Sequence, residues 1–185
     1  PGSARVRYVG IDNRAAGRVA ASLVGRFLAP DRRRVLVVLG SLALHDHRDR
    51  LEGFREAIAA RFPDLGLIGI VEGQDRGETT DRAVAAALNG GPVPDAIYSA
   101  GAGVAGIAAA LERAALRPLV VAHELTLETR PLLESGRLDA LIVQDPGHEA
   151  RSAIRVLMAA LGGTSLTEEQ ERIRIEILLP DNLPA

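Results

Sequence analysis

The residues with the most chemical potential are two histidine–acid groups, an arginine and a glutamine. His45-Asp46-His47 lies just before Arg50, and His123-Glu124 and Gln144 follow much later in the chain. Imidazole and carboxylate groups could together hold zinc or iron. Two histidines spaced as in His45-Asp46-His47 converge only in an extended chain, whereas the residues from Asp46 onward have the apolar spacing of a helix. We therefore interpret these groups as polar residues at a strand–helix junction, and expect no metal.

A second pattern is Gly101-Ala102-Gly103-Val104-Ala105-Gly106, which has the G-x-G-x-x-G spacing of dinucleotide-binding proteins, with Glu124 a further 18 residues on. Three or more predicted strands precede it, although such a fingerprint normally follows the first strand of its fold. Too little chain follows for a separate catalytic domain. Close packing of a helix on the sheet also explains small residues, and we favour it. A dinucleotide-dependent oxidoreductase stays open as the alternative from another functional class.

Composition removes several further classes of function. The 185 residues suffice for one domain, and 47% hydrophobic with 25% charged residues is the balance of a folded globular protein. The sequence has no cysteine and its 22 basic residues are all arginine, so it offers no disulfide, thiolate or catalytic lysine. A net charge of -2 gives no basic surface for nucleic acid, and no apolar run is long enough for a membrane span.

Short apolar runs alternate with stretches of helical period, which predicts an α/β fold with a doubly wound, mostly parallel sheet. A final helix is predicted to begin at Asp145-Pro146 and to end at Gly162-Gly163, and alternating isoleucines from Ile173 to Ile177 predict an edge strand. Asp12 or Asn13 should cap the first helix, and Thr79 or Thr80 should open the third. The other predicted strands are Arg5 to Gly10, Arg34 to Leu39, Leu65 to Val71, Ala96 to Ser99, Leu119 to Ala122 and Leu138 to Val143.

Polar side chains gather where these strands end, and in an open α/β sheet that edge binds ligands. An arginine fork beside carboxylates and an amide suits a hydroxylated or carboxylated small molecule. Helix capping and solvation explain any one of these residues equally well. The candidate ligand-binding residues are Asp12, Asp46, Arg50, His123, Glu124 and Gln144.

Several of these segments resemble the effector-binding domain of lactose-repressor-type regulators and the related periplasmic sugar-binding proteins. The passage from Val9 to Gly17 looks like the family's entry into its second lobe, and Arg50-Leu51-Glu52-Gly53-Phe54 is similar to its R-x-x-G-[FW] signature. Val120 to Glu124 and Ile142 to Pro146 look like a later strand end and a crossover between lobes. The segment from Arg174 to Pro184 looks more like the regulators.

The resemblance implies a periplasmic-binding-protein-like fold of type I, mainly its second lobe. Residues 5–144 would form that lobe, residues 145–163 a helix belonging to the first lobe, and residues 164–185 a return strand and tail. By this resemblance Arg50 would donate to the ligand, Glu124 and Asp46 would accept, and Gln144 would bridge at the hinge. Where the family commonly has Asn-Asp, this sequence has Ala100-Gly101, so one of the usual ligand-binding amides is missing. Aromatic content is only 3%, so few rings could stack on a sugar.

The expected function is accordingly binding of a small polar effector, such as a sugar, by a cytoplasmic regulator, with no catalysis and no cofactor. DNA would be contacted only through a helix-turn-helix ahead of residue 1, and the resemblance implies a homodimer, for which apolar residues around Val104 or Leu132 could serve. An exported sugar-binding protein is the other alternative that the resemblance leaves open.

Overall fold

The computed structural model describes residues 7–165 and 171–184, in which six strands form one sheet in the order β2-β1-β3-β4-β5-β6. The strands are β1 (Arg34–Leu39), β2 (Gly66–Glu72), β3 (Ala96–Ser99), β4 (Leu119–His123), β5 (Ala140–Gln144) and β6 (Ile175–Leu178). Strands β1 to β5 pair in parallel, and β6 pairs antiparallel to β5 at one edge. The predicted α/β class with a mostly parallel sheet is confirmed.

Six helices accompany the sheet. They are α1 (Asn13–Phe27), α2 (His45–Arg61), α3 (Gly77–Gly90), α4 (Val104–Arg113), α5 (Thr129–Glu134) and α6 (Pro146–Gly162). Helices α1 and α2 cover one face of the sheet and share a core with it that includes Phe54 and Tyr98. Helices α3, α4 and α5 cover the other face, around Ile107 and Leu133. Because both faces are covered, residues 35–39 of β1 are all buried, as central parallel strands require.

Most predicted elements occur within two residues of their expected bounds, and three expectations are corrected. Residues 7–10 form no strand, and residues 5 and 6 of that predicted strand lie outside the described residues. Helix α3 begins at Gly77 rather than at Thr79 or Thr80, and Thr80 is buried with its hydroxyl donating to the Gly73 carbonyl at 3.4 Å. The edge position of the last strand is confirmed. Its alternating isoleucines do not all face the core, because Ile177 is exposed and Leu178 is buried instead.

The carboxyl ends of the strands hold the point where the chain changes direction across the sheet. From β1 the chain moves outward to β2, and then returns to β3 on the other side of β1. The loops that follow β1 and β3 therefore diverge, and they leave a crevice between them. In open α/β sheets this crevice is the usual place for a ligand.

Two glycines allow α1 and α2 to cross at very short range. A Cβ on Gly17 would lie 1.9 Å from the carbonyl oxygen of Arg50, and a Cβ on Gly53 would lie 1.9 Å from that of Arg14. Both distances are far inside van der Waals contact, so no side chain fits at either position. The glycine of the Arg50-to-Phe54 segment thus lets α2 lie close enough to α1 for Arg50 to reach the sheet edge.

We predict that Gly53→Ala destabilises the protein by about 1–3 kcal/mol, because the two helices must separate to admit the methyl group. Gly162→Ala is a matched control in α6, where nothing lies within 4 Å of the added Cβ, and it should be neutral or slightly stabilising. Urea denaturation followed by circular dichroism measures both. Equal stability of Gly53→Ala and wild type would contradict the close crossing.

Candidate functional site

The crevice contains a cavity of about 740 Å³, the first cavity, at the carboxyl ends of β1, β3 and β4. The start of α2 contributes His47 and Arg50, the loop after β2 contributes Asp75, and the end of β4 contributes His123 and Glu124. Residues 101–104 and 126–129 complete its wall.

Arg50 lies at the centre of the site and is 8% exposed. Its Nε donates to Oδ1 of Asn13 at 2.9 Å, and its Nη1 donates to the carbonyl of Ala100 at 3.1 Å. Its Nη2 lies 3.9 Å from Oε1 of Glu124. The guanidinium thus ties the start of α1 and the end of β3 to Glu124, and its planar shape makes it a fixed donor at the cavity wall.

Glu124 and Gln144 join Arg50 from neighbouring strands. Nε2 of Gln144 donates to Oε1 of Glu124 at 3.3 Å, and Oε1 of Gln144 accepts from the Ile11 amide at 3.4 Å. Burial raises the pKa of Glu124, and the charge of Arg50 opposes that rise. Glu124 also has a left-handed backbone with φ 64. The three residues that the sequence analysis placed together, Arg50, Glu124 and Gln144, are brought together.

His123 lies beneath this network and has an unsatisfied ring nitrogen. Its Nε2 is 2.9 Å from the Tyr98 hydroxyl, and the Tyr98 ring stacks on Phe54 with centroids 4.7 Å apart. Burial lowers the pKa of His123 well below its usual value, and Arg50 and His47 lower it further, so the ring is neutral. Burial raises the pKa of Tyr98, which keeps its proton. Nδ1 of His123 is buried without a hydrogen-bond partner among the described residues.

The Tyr98–His123 hydrogen bond assigns the tautomer of His123. The hydroxyl proton of Tyr98 has the His123 Nε2 as its observed partner, so we assign Tyr98 as the donor and Nε2 as the acceptor. In a neutral imidazole the other nitrogen then carries the proton. His123, a residue of the first cavity's lining, therefore has a buried Nδ1–H donor that no described residue accepts.

The structure adds three residues that the sequence analysis did not select, namely Asn13, His47 and Asp75. Asp75 has a left-handed backbone with φ 54, and its Oδ1 accepts from the Ala102 amide at 2.8 Å. His47 Nδ1 accepts from the Ser41 amide at 3.2 Å, and its Nε2 lies 3.8 Å from Oδ1 of Asp75. A loop position such as Asp75 shows no periodicity, so pattern analysis had no signal for it.

Asp12 and Asp46 line a second cavity of about 500 Å³, which Arg50 and Gln144 also line. Asp12 caps α1, as predicted, because its Oδ1 accepts from the Ala15 amide at 2.9 Å. Asp46 Oδ1 accepts from the His47 amide at 3.0 Å. All six candidate residues therefore border one of two cavities that share Arg50, although Asp12 and Asp46 lie apart from Glu124 and His123.

The glycine-rich segment has a packing explanation in the structure. A Cβ on Gly106 would lie 2.1 Å from the Gly77 carbonyl, and one on Gly103 would lie 2.5 Å from the Thr80 hydroxyl. Gly101 faces Asp75 and the Gly40 amide at 2.6 Å in the same way. These glycines thus allow α4 to begin against the start of α3. The expected close packing is present, but the partner of the helix is mainly another helix rather than the sheet.

Three further expectations concern metals, membranes and a dimer. Within residues 7–165 and 171–184, no three His, Asp or Glu side chains are grouped to hold a metal, and no helix is long and apolar enough to cross a membrane. Val104 is buried, and Leu132 packs against the core under α4 and α5. Val104 is therefore not available for a dimer surface, whereas Leu132 is only partly buried, and the homodimer stays a prediction.

Comparison with solved structures supports the same architecture. The structure of GanP, a glucose-galactose binding protein from Geobacillus stearothermophilus, aligns with a TM-score of 0.90 and 22% identity, over 100% of this chain and 66% of GanP. AraP, an arabinose binding protein from the same organism, gives 0.83 and 20%, over 98% of this chain and 65% of AraP. An ABC transporter solute binding protein from Burkholderia graminis C4D1M, in complex with D-arabinose, gives 0.86 and 22%, over 97% and 63%.

The chain thus spans slightly less than two-thirds of the length of these proteins, and at such identities the likeness shows the fold alone. A search of curated protein sequences finds no match. A family model described as "Periplasmic binding protein domain" matches residues 1–165, which is most of the chain. The crevice and the sheet order of this chain agree with that match, and the chain belongs to the periplasmic binding protein domain family.

Proposed function

We propose that this chain is a lobe of a two-lobed sugar-binding protein, and that it holds a hydroxyl-rich ligand in its first cavity. The observation that carries the proposal is the convergence of Arg50, Glu124 and Gln144 from three elements where the two cavities meet, with Arg50 and Glu124 in the wall of the first cavity and Gln144 in that of the second. A guanidinium, a carboxylate and an amide at one place offer both donors and acceptors, which a polyhydroxylated ligand needs. They carry no nucleophile activated by a base, so binding without catalysis is the chemistry they support best.

Two settings for this binding differ in the rest of the protein. The solved relatives named above include a transporter solute binding protein, and this favours an exported sugar-binding protein. The segment from Arg174 to Pro184 resembles the lactose-repressor-type regulators, and this favours the second candidate, a cytoplasmic effector sensor that acts on DNA through another domain and works as a homodimer. The complete reading frame tests both, because a signal peptide supports the first and a helix-turn-helix supports the second.

Helix α6 carries the surface on which we propose that a second lobe packs. Its apolar side chains are exposed, while Ser152 and Ala159 are its buried residues. The exposed fractions are 62% for Ile154, 59% for Leu157, 66% for Met158 and 79% for Leu161. Covering an apolar helical stripe of this kind removes apolar area from water, which is energetically favourable. We assign residues 145–163 to the partner lobe and residues 7–144, with β6, to this one.

Ligand affinity should depend on the second lobe. Because this chain would supply only one wall of the cleft, we predict that the 185 residues bind D-galactose, D-glucose or D-arabinose at least roughly tenfold more weakly than the complete reading frame, a difference of about 1.4 kcal/mol or more. Isothermal titration calorimetry of both proteins measures this. Tight binding by the 185-residue chain would contradict the two-wall arrangement.

The charge state of Glu124 should depend on Arg50. Removal of the guanidinium charge in Arg50→Gln should raise the pKa of Glu124 further, since burial would then act without its main opposition. NMR titration of the Glu124 carboxyl carbon measures this, and Arg61→Gln in the last turn of α2 is the control. An unchanged Glu124 pKa in Arg50→Gln would show that the two groups do not interact in solution.

The covering of α6 can be tested with a single thiol, because the sequence has no native cysteine. We predict that Met158→Cys reacts rapidly with a maleimide reagent in the 185-residue chain and at least roughly tenfold more slowly in the complete protein, as access to a covered site requires local opening. Glu78→Cys, at a position whose side chain is 86% exposed in α3, should react equally fast in both. Equal rates for Met158→Cys would rule out a lobe packed on this stripe.

A further inference from the structure

The two cavities at the crevice have an unbalanced charge. Arg50 lines both cavities, and Glu149 in the second helps to raise the pKa of Glu124 in the first, so the two share one electrostatic environment. Among the described residues that line the two cavities, Arg50 is the single arginine. The lining carboxylates are Asp12, Asp46, Asp49, Asp75, Glu124, Glu128 and Glu149.

The protein offsets part of this negative charge, because arginines lie near Glu124 and Asp12 and the charge of Arg14 acts on Asp49. Arg50 approaches Glu124 only at 3.9 Å, and two of its five N–H donors are used by an amide oxygen and a backbone carbonyl. Arg18 lies 3.8 Å from Oδ2 of Asp12 at the outer side of the second cavity. Arg48 donates to the carbonyls of Leu42 and Ala43. A cleft lined by one sign of charge attracts ligands of the opposite sign.

The spacing of the carboxylates argues for an organic cation. Within residues 7–165 and 171–184 no group of three or more His, Asp or Glu side chains could hold a metal ion. The carboxylates are instead distributed around about 740 Å³ and about 500 Å³ of space. A cavity of that size fits a small organic molecule, with charge and hydroxyl groups at separate points.

The first cavity also offers a donor that no protein group uses. His123 is 3% exposed and borders the cavity, and its Nδ1–H has no partner among the described residues. A ligand hydroxyl that reaches this buried group can accept from it and donate in turn to a carboxylate. Among the described residues the lining of the first cavity includes no Phe or Tyr, whereas Tyr8 lines the second, so stacking of such a ring on a sugar is not available in the first cavity. Polar recognition in the first cavity then depends on hydrogen bonds and charge, beside an apolar contribution from Val104 and Leu127.

We propose that the ligand is a hydroxylated small molecule bearing a protonated amino group, that is, an amino sugar or a similar amino polyol. The ammonium group lies against the carboxylates of Asp75, Glu124 and Glu128, and its hydroxyls meet Arg50 and Nδ1 of His123. This inference rests on the proposed function, because it assigns a chemical class to the ligand of the same site.

The test compares sugars that share a ring and differ from the neutral parent at one position, which is cationic or anionic. The 185-residue chain labelled with ¹⁵N is titrated by NMR, which detects millimolar affinity, with D-glucosamine, D-glucose and D-glucuronate and with their D-galacto counterparts. We expect at least one amino sugar to bind about tenfold more tightly than its neutral parent, with the uronate weakest, and the preference to shrink at about 1 M salt, where the Debye length is about 3 Å.

A neutral sugar that binds as tightly as its amino counterpart would overturn this inference and leave the proposed function standing. Shifts with none of the six sugars, both in this chain and in the complete reading frame, would contradict both.

A substitution then locates the charge. Asp75→Asn keeps an oxygen that can accept from the Ala102 amide, yet removes one negative charge, so the amino-to-neutral affinity ratio should fall about tenfold. Glu78→Gln removes a carboxylate outside the lining of both cavities, and the ratio should stay unchanged. An unaltered ratio in Asp75→Asn would remove Asp75 from the proposed ammonium site. A preference lost equally in Glu78→Gln would show a general charge effect and overturn the proposal.

Discussion

The close crossing of α1 and α2 is the constraint on which the site depends. Gly17 and Gly53 let the two backbones approach to a distance that no side chain would tolerate. This crossing brings Arg50 beside Asn13, and the hydrogen bond between them joins the start of α1 to the wall of the first cavity. On the opposite side Phe54 stacks on Tyr98, which holds His123. One segment, from Arg50 to Phe54, thus serves both the helix crossing and the site.

The sequence predicted the fold well because each strand and helix carries a strong local signal. The apolar runs of β1 and β3 are buried on both faces, and the period of α1 and α4 places one apolar stripe on the sheet. The start of α3 was misplaced because Thr80 looked like a helix cap, whereas its hydroxyl binds the preceding loop. Tertiary contact decided that boundary, and local pattern cannot report such a contact.

The candidate site was only partly predictable. Residues at strand ends share an edge of the sheet by topology, so the sequence alone predicts that Arg50, Glu124 and Gln144 lie together. The role of His123 as a buried donor depends on Tyr98, a partner 25 residues away. Asp75 lies in a loop whose backbone is left-handed, and its approach to His47 has no sequence signature. Separate local signals cannot show which loops will meet.

The positive φ angles of Asp75 and Glu124 restrict which residues can replace them. At φ 54 and φ 64 the backbone lies in a region that glycine, asparagine and aspartate enter most easily, and that valine, isoleucine and threonine avoid. Evolutionary substitution at these two positions therefore favours residues with short amide or carboxylate side chains. Descendants of this protein could exchange an acidic wall for a neutral one in single steps, while a branched apolar wall would first require the loops to be rebuilt.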